Sequence, residues 1–570
     1  MYDLKIENAI IADGSGAPAY AGSLGILEGR IAAVGDAPES AKQTVDAGGM
    51  VLSPGFVDVH THYDAQVFWD KAVSPSCYHG VTTVFGGHCG FSIAPLSPAA
   101  APYLLNMLAR VEGMPVASLE DGVPWDWQSF DEYLSKLDGN IGVNAGFMAG
   151  HSAIRRVVMG ERAVGQLATA EEVEAMKRLL AQCLSEGAIG FSSTIAVTHN
   201  DADGEPVPSR HASHEEILAL ASQCADYEGT SLEFMPAIGE FSDDVIEFML
   251  ELTTTAKRPL NWNALTAGNS ELIANQLAAS DRALERGGDI RALTIPQPIT
   301  IRINLHSGFV FDSLEGWADL FKLSIEERIE YLKDPVHRTE LNAAAKSGGP
   351  MRGLANWSTM AVHAAYLDKN KHLEGRTLGD IAKELGKRAF DTMLDLAIEE
   401  GLRTSFMPMP STDEEKLWKV RGELWRDKRT VIGGSDAGAH LDMIDTFAYS
   451  SHVLSSGVRD HKVISLEEAI HQLTQVPAEL YGLRERGLIK PGWHADIVIF
   501  DPETVGSGKT YMRHDLPADE SRIYADAQGI QHVFVNGVQT IENGMHTGRL
   551  PGVVMRSGRD TETPRMRTAT

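Results

Sequence analysis

Gly55-Phe56-Val57-Asp58-Val59-His60-Thr61-His62 is an apolar run that ends in two histidines one residue apart. Side chains alternate along extended backbone, so His60 and His62 share one side at the end of a strand and Thr61 faces the other. Two imidazoles a few ångströms apart on one side suit a single metal ion. The plainer alternative is a pair of polar residues satisfied by hydrogen bonds.

Further along the chain, short β-like runs recur at Val81–Phe85, Gly142–Phe147, Gly187–Ser192, Thr230–Met235, Pro259–Asn263, Thr300–Leu305 and Thr430–Gly434. Amphipathic stretches lie between several of them, at Ala170–Glu186, Ser213–Glu228 and Asp243–Lys257. Strands alternating with helices point to a parallel sheet, and about eight such repeats predict a (β/α)₈ TIM barrel with its chemistry at the C-terminal strand ends. The two ends of the chain have a different texture. Tyr2–Ile11, Gly22–Glu28 and Ile31–Val34 are short strands punctuated by glycine. Ala495–Phe500 and Ile530–Val535, the latter followed by Asn536-Gly537, repeat that pattern near the C-terminus. The expected division is 1–54 and 485–556 as the two parts of a small β-sandwich, 55–484 as the barrel, and 557–570 as a flexible polar tail.

The chain has 570 residues with 43% hydrophobic and 22% charged, an ordinary globular composition too long for one simple core. A formal net charge of −28 argues against nucleic acid or an anionic membrane as partner. No apolar stretch approaches a membrane span, and Met1–Glu7 does not read as a secretory signal. Cys77, Cys89, Cys183 and Cys224 form no CxxC pair, which fits a reducing cytoplasm. No glycine-rich piece is followed by the Lys-Ser/Thr of a phosphate-binding loop. The expected partner is a small-molecule substrate, and a homo-oligomer is compatible with the sequence.

Leu52–His62 resembles the first-strand signature of the amidohydrolase superfamily. Gly80-Val81-Thr82-Thr83-Val84 followed by Gly87-His88-Cys89-Gly90-Phe91-Ser92-Ile93-Ala94-Pro95-Leu96 is similar to its N-acyl-D-amino-acid deacylase (D-aminoacylase-like) branch. Gly150-His151 with Arg155, Glu186–Ser192, Gly434-Ser435-Asp436, Gly487–Asp496 and Val535-Asn536-Gly537 continue the match in order along nearly the whole chain. The resemblance implies a distorted (β/α)₈ barrel with a small β-sandwich from both termini. It implies that His60, His62 and Asp436 hold one divalent ion, and that Cys89 supplies a thiolate near it, bridging to a second ion when one is present. Imidazole, carboxylate and thiolate together suit zinc. The implied reaction is hydrolysis of an amide-like C–N bond by a metal-activated water, with Asp436 as the catalytic acid–base group. Taken singly, Cys89 reads as a small core residue and Asp436 as a helix cap. A deaminase or other metal-dependent reaction on the same barrel, or a metal-free scaffold, are the alternatives.

The sequence departs from the family pattern at two later strand ends, where histidines complete a second metal site. The alignment puts Phe234 and Asn263 at those places, with Glu233 able to substitute only through a bulge or a shift of one residue. The lysine expected after the second histidine falls at Leu265, and Ala437–Ile444 contains no arginine. Missing cationic anchors imply a substrate other than a simple N-acyl-D-amino acid: an amide, cyclic amide or ester with a larger apolar part. His151, Arg155 and His440 are the candidate substrate-binding residues; His88, His199, His211 and His440 could also fill the missing ligand places, but read rather as hydrogen-bonding or substrate-lining groups.

Overall fold

In the computed structural model, which describes residues 1–298, 300–308, 310–349, 351–408 and 414–568, parallel strands follow one another in chain order. Phe56–Asp58, Val81–Gly86 and Asn144–Phe147 form one parallel ladder. Ala149–Gly150, Gly190–Thr194, Ser231–Met235, Leu260–Leu265, Ile290–Thr294 and Thr430–Ile432 form a second. Two contacts run between the ladders. The Ile189 amide donates to the Phe147 carbonyl (2.8 Å), and an isolated parallel bridge pairs Thr61, just past the first strand, with Ala437, just past the last. Helices between the strands begin at polar caps: Thr169 and Glu172 form a reciprocal capping box on Ala170–Ser185, and Ser242 caps Asp243–Ala256. Ala170–Ser185 buries Met176, Leu180, Cys183 and Leu184, the spacing of one helical face turned to the strands.

The seventh strand is not where the apolar alternation predicts it. Thr300–Leu305 is largely irregular, with one isolated bridge from Ile303 to Phe406, and the ladder position is taken by Ile290–Thr294. Its register beside Thr430–Ile432 runs from Ala292↔Thr430 to Thr294↔Ile432, so residues 295–429 are an insertion between two strands that pair directly. The insertion builds its own core from Ile303, Leu305, Phe311, Trp317, Trp357, Phe390 and Phe406, which Met443 and Ile444 join from the segment after the last strand. Thr300–Leu305 alternates because it lines that core.

Both chain ends enter one nine-stranded sheet. Val51–Pro54 sits in its middle, parallel to the end of Tyr2–Ile11 and antiparallel to Ile497–Phe500 through Leu52↔Ile499. Leu4, Ile6, Leu24, Ile26, Leu52, Ile497, Ile499 and Phe534 pack together from alternating positions. The segment from Ser557, expected to be a loose polar tail, instead runs along the parallel strands. Thr561 is fully buried and donates to the Gly229 carbonyl (2.7 Å), and Arg567 donates to Asp289 (2.7 Å). Its polar side chains find buried partners rather than water. No helix among the described residues is long and apolar enough to cross a membrane.

The terminal sheet is fixed to the parallel strands by Asp496. Its Oδ2 pairs with Arg486 and accepts from Asn144 Nδ2 (3.1 Å), and its Oδ1 accepts the Asn536 amide (2.7 Å). Both members of the ion pair are nearly fully buried. Asp496→Ala would strand a buried guanidinium, so it should lower stability by about 3–5 kcal/mol in equilibrium unfolding. A loss below about 1 kcal/mol would show that the pair does not hold the two parts together.

Candidate metal centre

The ends of the parallel strands converge on six buried or nearly buried side chains. Asp436 Oδ1 stands 3.3 Å from His60 Nε2 and 3.6 Å from His62 Nε2, and Cys89 Sγ lies 3.7 Å from His60 Nε2. Backbone bonds set this up: the Asp436 amide donates to the His60 carbonyl (3.2 Å) and the His62 amide to the Ala437 carbonyl (2.8 Å). Thr61 turns away and donates to the Phe85 carbonyl (2.7 Å), as the alternation requires. Asp436 and Cys89 both have left-handed backbone (φ 52° and 53°), unusual for residues with a Cβ and common where a site constrains the chain. Gly434 is at φ 75°, and a Cβ there would sit 2.4 Å from Asn263 Oδ1, so glycine is required beside the site.

Ligand atoms of His60, His62 and Cys89 all lie within 4.8 Å of one another, and so do those of His60, His88 and Glu233. Glu233 therefore faces the centre, and Phe234 does not. The strand pairs continuously from Gly190↔Ser231 to Thr194↔Met235 without a bulge, and Phe234 packs against Phe248 (ring centroids 5.5 Å apart) on the opposite side. The register that put Phe234 at the histidine position is off by one residue, an error that flips every side chain of a strand. Asn263 does reach the site, where its Nδ2 donates to Asp436 Oδ1 (3.1 Å) while its Oδ1 is buried without a partner. Leu265 is fully buried.

Burial dominates the electrostatics. It pushes Glu233 up to about 8, against the Cys89 amide bond, and raises the Cys89 thiol well above its ordinary range, with Glu233 adding to the shift. It drives His60 and His88 well below the imidazole range, with neighbouring imidazoles adding to both. Burial also opposes a charge on His62, but the Glu112 and Asp436 carboxylates outweigh it and set that group at about 9. Without a cation, most of these groups are held in uncharged forms; a divalent ion favours carboxylate, thiolate and neutral imidazole together, so it opposes the bias at Glu233, Cys89 and His62 and shares it at His60 and His88. His60 Nδ1 and His88 Nδ1 are buried with no hydrogen-bond partner. The residues present thus fit a bound metal.

Two supporting groups escaped the sequence reading. Glu112, just past the helix Ala101–Val111, holds His62 Nδ1 at 3.2 Å and is itself raised to about 7 by burial. Asp58 accepts from Ser435 Oγ at 2.5 Å and links the first and last strands behind the histidines. Asp58 belongs to the quoted run, but nothing local marks Glu112: an acid before a glycine reads as an ordinary helix end.

The candidate substrate residues separate. The His440 amide donates to the Glu112 carbonyl, and burial sets the His440 imidazole at about 4. His199 stands near His440 and His62 and is set at about 3 by burial, with its Nδ1 2.9 Å from Thr194 Oγ1. His211 lies 3.1 Å from the Pro206 carbonyl. His151 and Arg155 are fully buried on the helix His151–Met159 and share Glu216, at 3.0 Å and 3.1 Å.

The sequence profile of the amidohydrolase family matches residues 43–541, and the chain belongs to that family. It is 28% identical to a D-aminoacylase of Alcaligenes xylosoxydans xylosoxydans over 97% of both chains. It is also 28% identical to an N-acyl-D-aspartate deacylase of the same organism, over 98% of this chain and 95% of the relative. A solved D-aminoacylase, described as having a binuclear metal centre with one-metal activation and second-metal attenuation, superimposes with a TM-score of 0.66 at 26% identity. That match covers 98% of this chain and all of the other. The protein is a metal-dependent hydrolase acting on carbon–nitrogen bonds.

Glu216→Ala leaves Arg155 buried without its carboxylate, so it should cost about 3–5 kcal/mol of stability in chemical denaturation while metal content stays at the wild-type level. Loss of metal with stability unchanged would place this trio in the centre instead.

Proposed function

We propose that His60, His62, Asp436 and Cys89 hold a divalent cation, zinc by the chemistry of the donors, on which an amide-like C–N bond is hydrolysed. The observation that carries this is the approach of Asp436 Oδ1 to both His60 and His62 at the ends of the first and last strands, which we read as adjoining strands of a closed (β/α)₈ barrel. When bound, the cation supplies Lewis acidity, which brings the pKa of water towards neutrality and stabilises negative charge developing on a carbonyl oxygen. Asp436, the one member of the group with appreciable exposure (20% of its side chain), is placed to take a proton from the attacking water. Asn263 holds Asp436 Oδ1 and so orients the carboxylate, and Asp436 returns the proton to the departing nitrogen. Glu112 holds His62 by the nitrogen that faces away from Asp436, which fixes the ring and raises its basicity. His440, His151 and Arg155 are the candidates for substrate contact.

The substrate we infer is an amide, cyclic amide or ester with a sizeable apolar part rather than a simple N-acyl-D-amino acid. The support is chemical: no lysine stands at Leu265 and no arginine follows Asp436 as far as Ile444. Beside Asp436, Tyr63, Leu441, Ile444, Phe447 and Ile523 surround a space of only about 10 Å³, and the cation at its edge, Arg522, is already paired with Asp70 and Asp515. A carboxylate on the substrate would meet few free donors there, each absent charge-assisted bond being worth about 1.5–3 kcal/mol.

Asp436→Asn should lower kcat by about 10²- to 10⁴-fold, measured with the variant's metal content as control; near-normal turnover would remove Asp436 from the mechanism. In steady-state assays, hydrophobic amides and cyclic amides should exceed N-acetyl-D-amino acids in kcat/KM by about tenfold or more, and the reverse order would overturn the substrate assignment.

A further inference from the structure

We propose that this chain holds a second divalent cation between Glu233 and His88, with the Cys89 thiolate at the border between the two ions. This rests on the metal-dependent reading above and goes beyond it, because it gives the second ion an oxygen and nitrogen cradle built from residues that the family pattern does not use.

Glu233 is 2% exposed and forms no ion pair with any Lys, Arg or His among the described residues. Its Oε2 accepts the Cys89 amide at 2.8 Å, and its Oε1 stands 4.0 Å from Cys89 Sγ. On its other side, ligand atoms of Glu233, His88 and His60 lie within 4.8 Å of one another. His88 is fully buried and stacks on His60 with ring centroids 4.1 Å apart. His88 Nε2 sits 3.1 Å from the Phe85 carbonyl, which can only accept, so that nitrogen carries the proton and Nδ1 presents a lone pair. That Nδ1 is buried and meets no donor.

A buried carboxylate without a cation and a buried lone pair without a donor are each unfavourable. One divalent ion satisfies both. The backbone is shaped to bring these groups in: Gly87 is at φ 76°, where a Cβ would lie 2.3 Å from the Met148 carbonyl oxygen, and Cys89 follows at φ 53° with its amide turned to Glu233. Carboxylate, imidazole and thiolate select a zinc-like ion over magnesium or calcium, which take oxygen donors.

The test is metal stoichiometry on the full chain, stripped with a chelator and titrated with zinc. A parallel cobalt(II) titration reads thiolate coordination from its charge-transfer absorption. Wild type should take up about two ions per chain, and Glu233→Gln and His88→Gln about one each, with the tighter ion and the folded state retained. Glu233→His, which supplies a different but competent ligand, should restore two, and Cys89→Ser should abolish the cobalt–thiolate band. If Glu233→Gln and His88→Gln bind as many ions as wild type, or wild type binds one ion that both variants leave undisturbed, this inference is overturned and the first site stands. A wild type that binds no ion while amide hydrolysis persists in chelator would instead sink the metal-dependent reading itself.

Discussion

Three imidazoles, a thiol and two carboxylates share a volume from which water is nearly excluded. His60 and His88 are fully buried, and Cys89, Glu233 and His62 are within a few per cent of it. Such a cluster is unfavourable by itself, because burial opposes a charge on His60, His62, His88, Cys89 and Glu233 and no lysine or arginine bonds to any member among the described residues. A divalent ion turns the same donors into an attractive set. The strained backbone at Cys89 and Asp436, the glycine forced at position 434 and the Asp58–Ser435 bond all serve to hold these groups together.

The architecture delivers that cluster from distant stretches of chain. His60 and His62 come from the segment just past the first parallel strand, Cys89 and His88 from the turn after the second, Glu233 and Asn263 from the middle, and Asp436 from the turn after the last. Position 436 is nearly 380 residues from position 60, so the site depends on the last strand docking beside the first, which the backbone bonds at His60, His62 and Ala437 accomplish. The insertion of residues 295–429 leaves this docking in place: its core is separate, and it meets the segment after the last strand through Met443 and Ile444 and through polar bonds such as Asn304 to Asp442 (2.6 Å) and Arg302 to Asp445 (3.2 Å).

Much of this was legible in the sequence, and the failures have physical causes. His60 and His62 were readable because a period of two is a strong local signal, and Asp436 and Cys89 because their flanking glycines sit in recognisable motifs. The parallel order of strands was readable from alternating patterns. Glu233 was misplaced because a one-residue slip in a fully buried strand leaves the apolar pattern intact: Leu232 and Phe234 are both buried, so hydrophobicity does not say which face is inward. Thr300–Leu305 imitated a strand because it lines the insertion's own core. Glu112 left no trace, since its role arises only when a helix end from another part of the chain meets His62. The polar segment after Ser557 was read as loose from composition alone, and buried partners such as Gly229 and Asp289 cannot be seen from composition.

The central claim is tested most directly by a crystal structure of the zinc-loaded protein, with diffraction collected on both sides of the zinc absorption edge. The account predicts an anomalous peak within bonding distance of His60 Nε2, His62 Nε2 and Asp436 Oδ1, at about 2.0–2.2 Å from each. A peak elsewhere, or no peak in crystals of protein that still hydrolyses its amide, would contradict it.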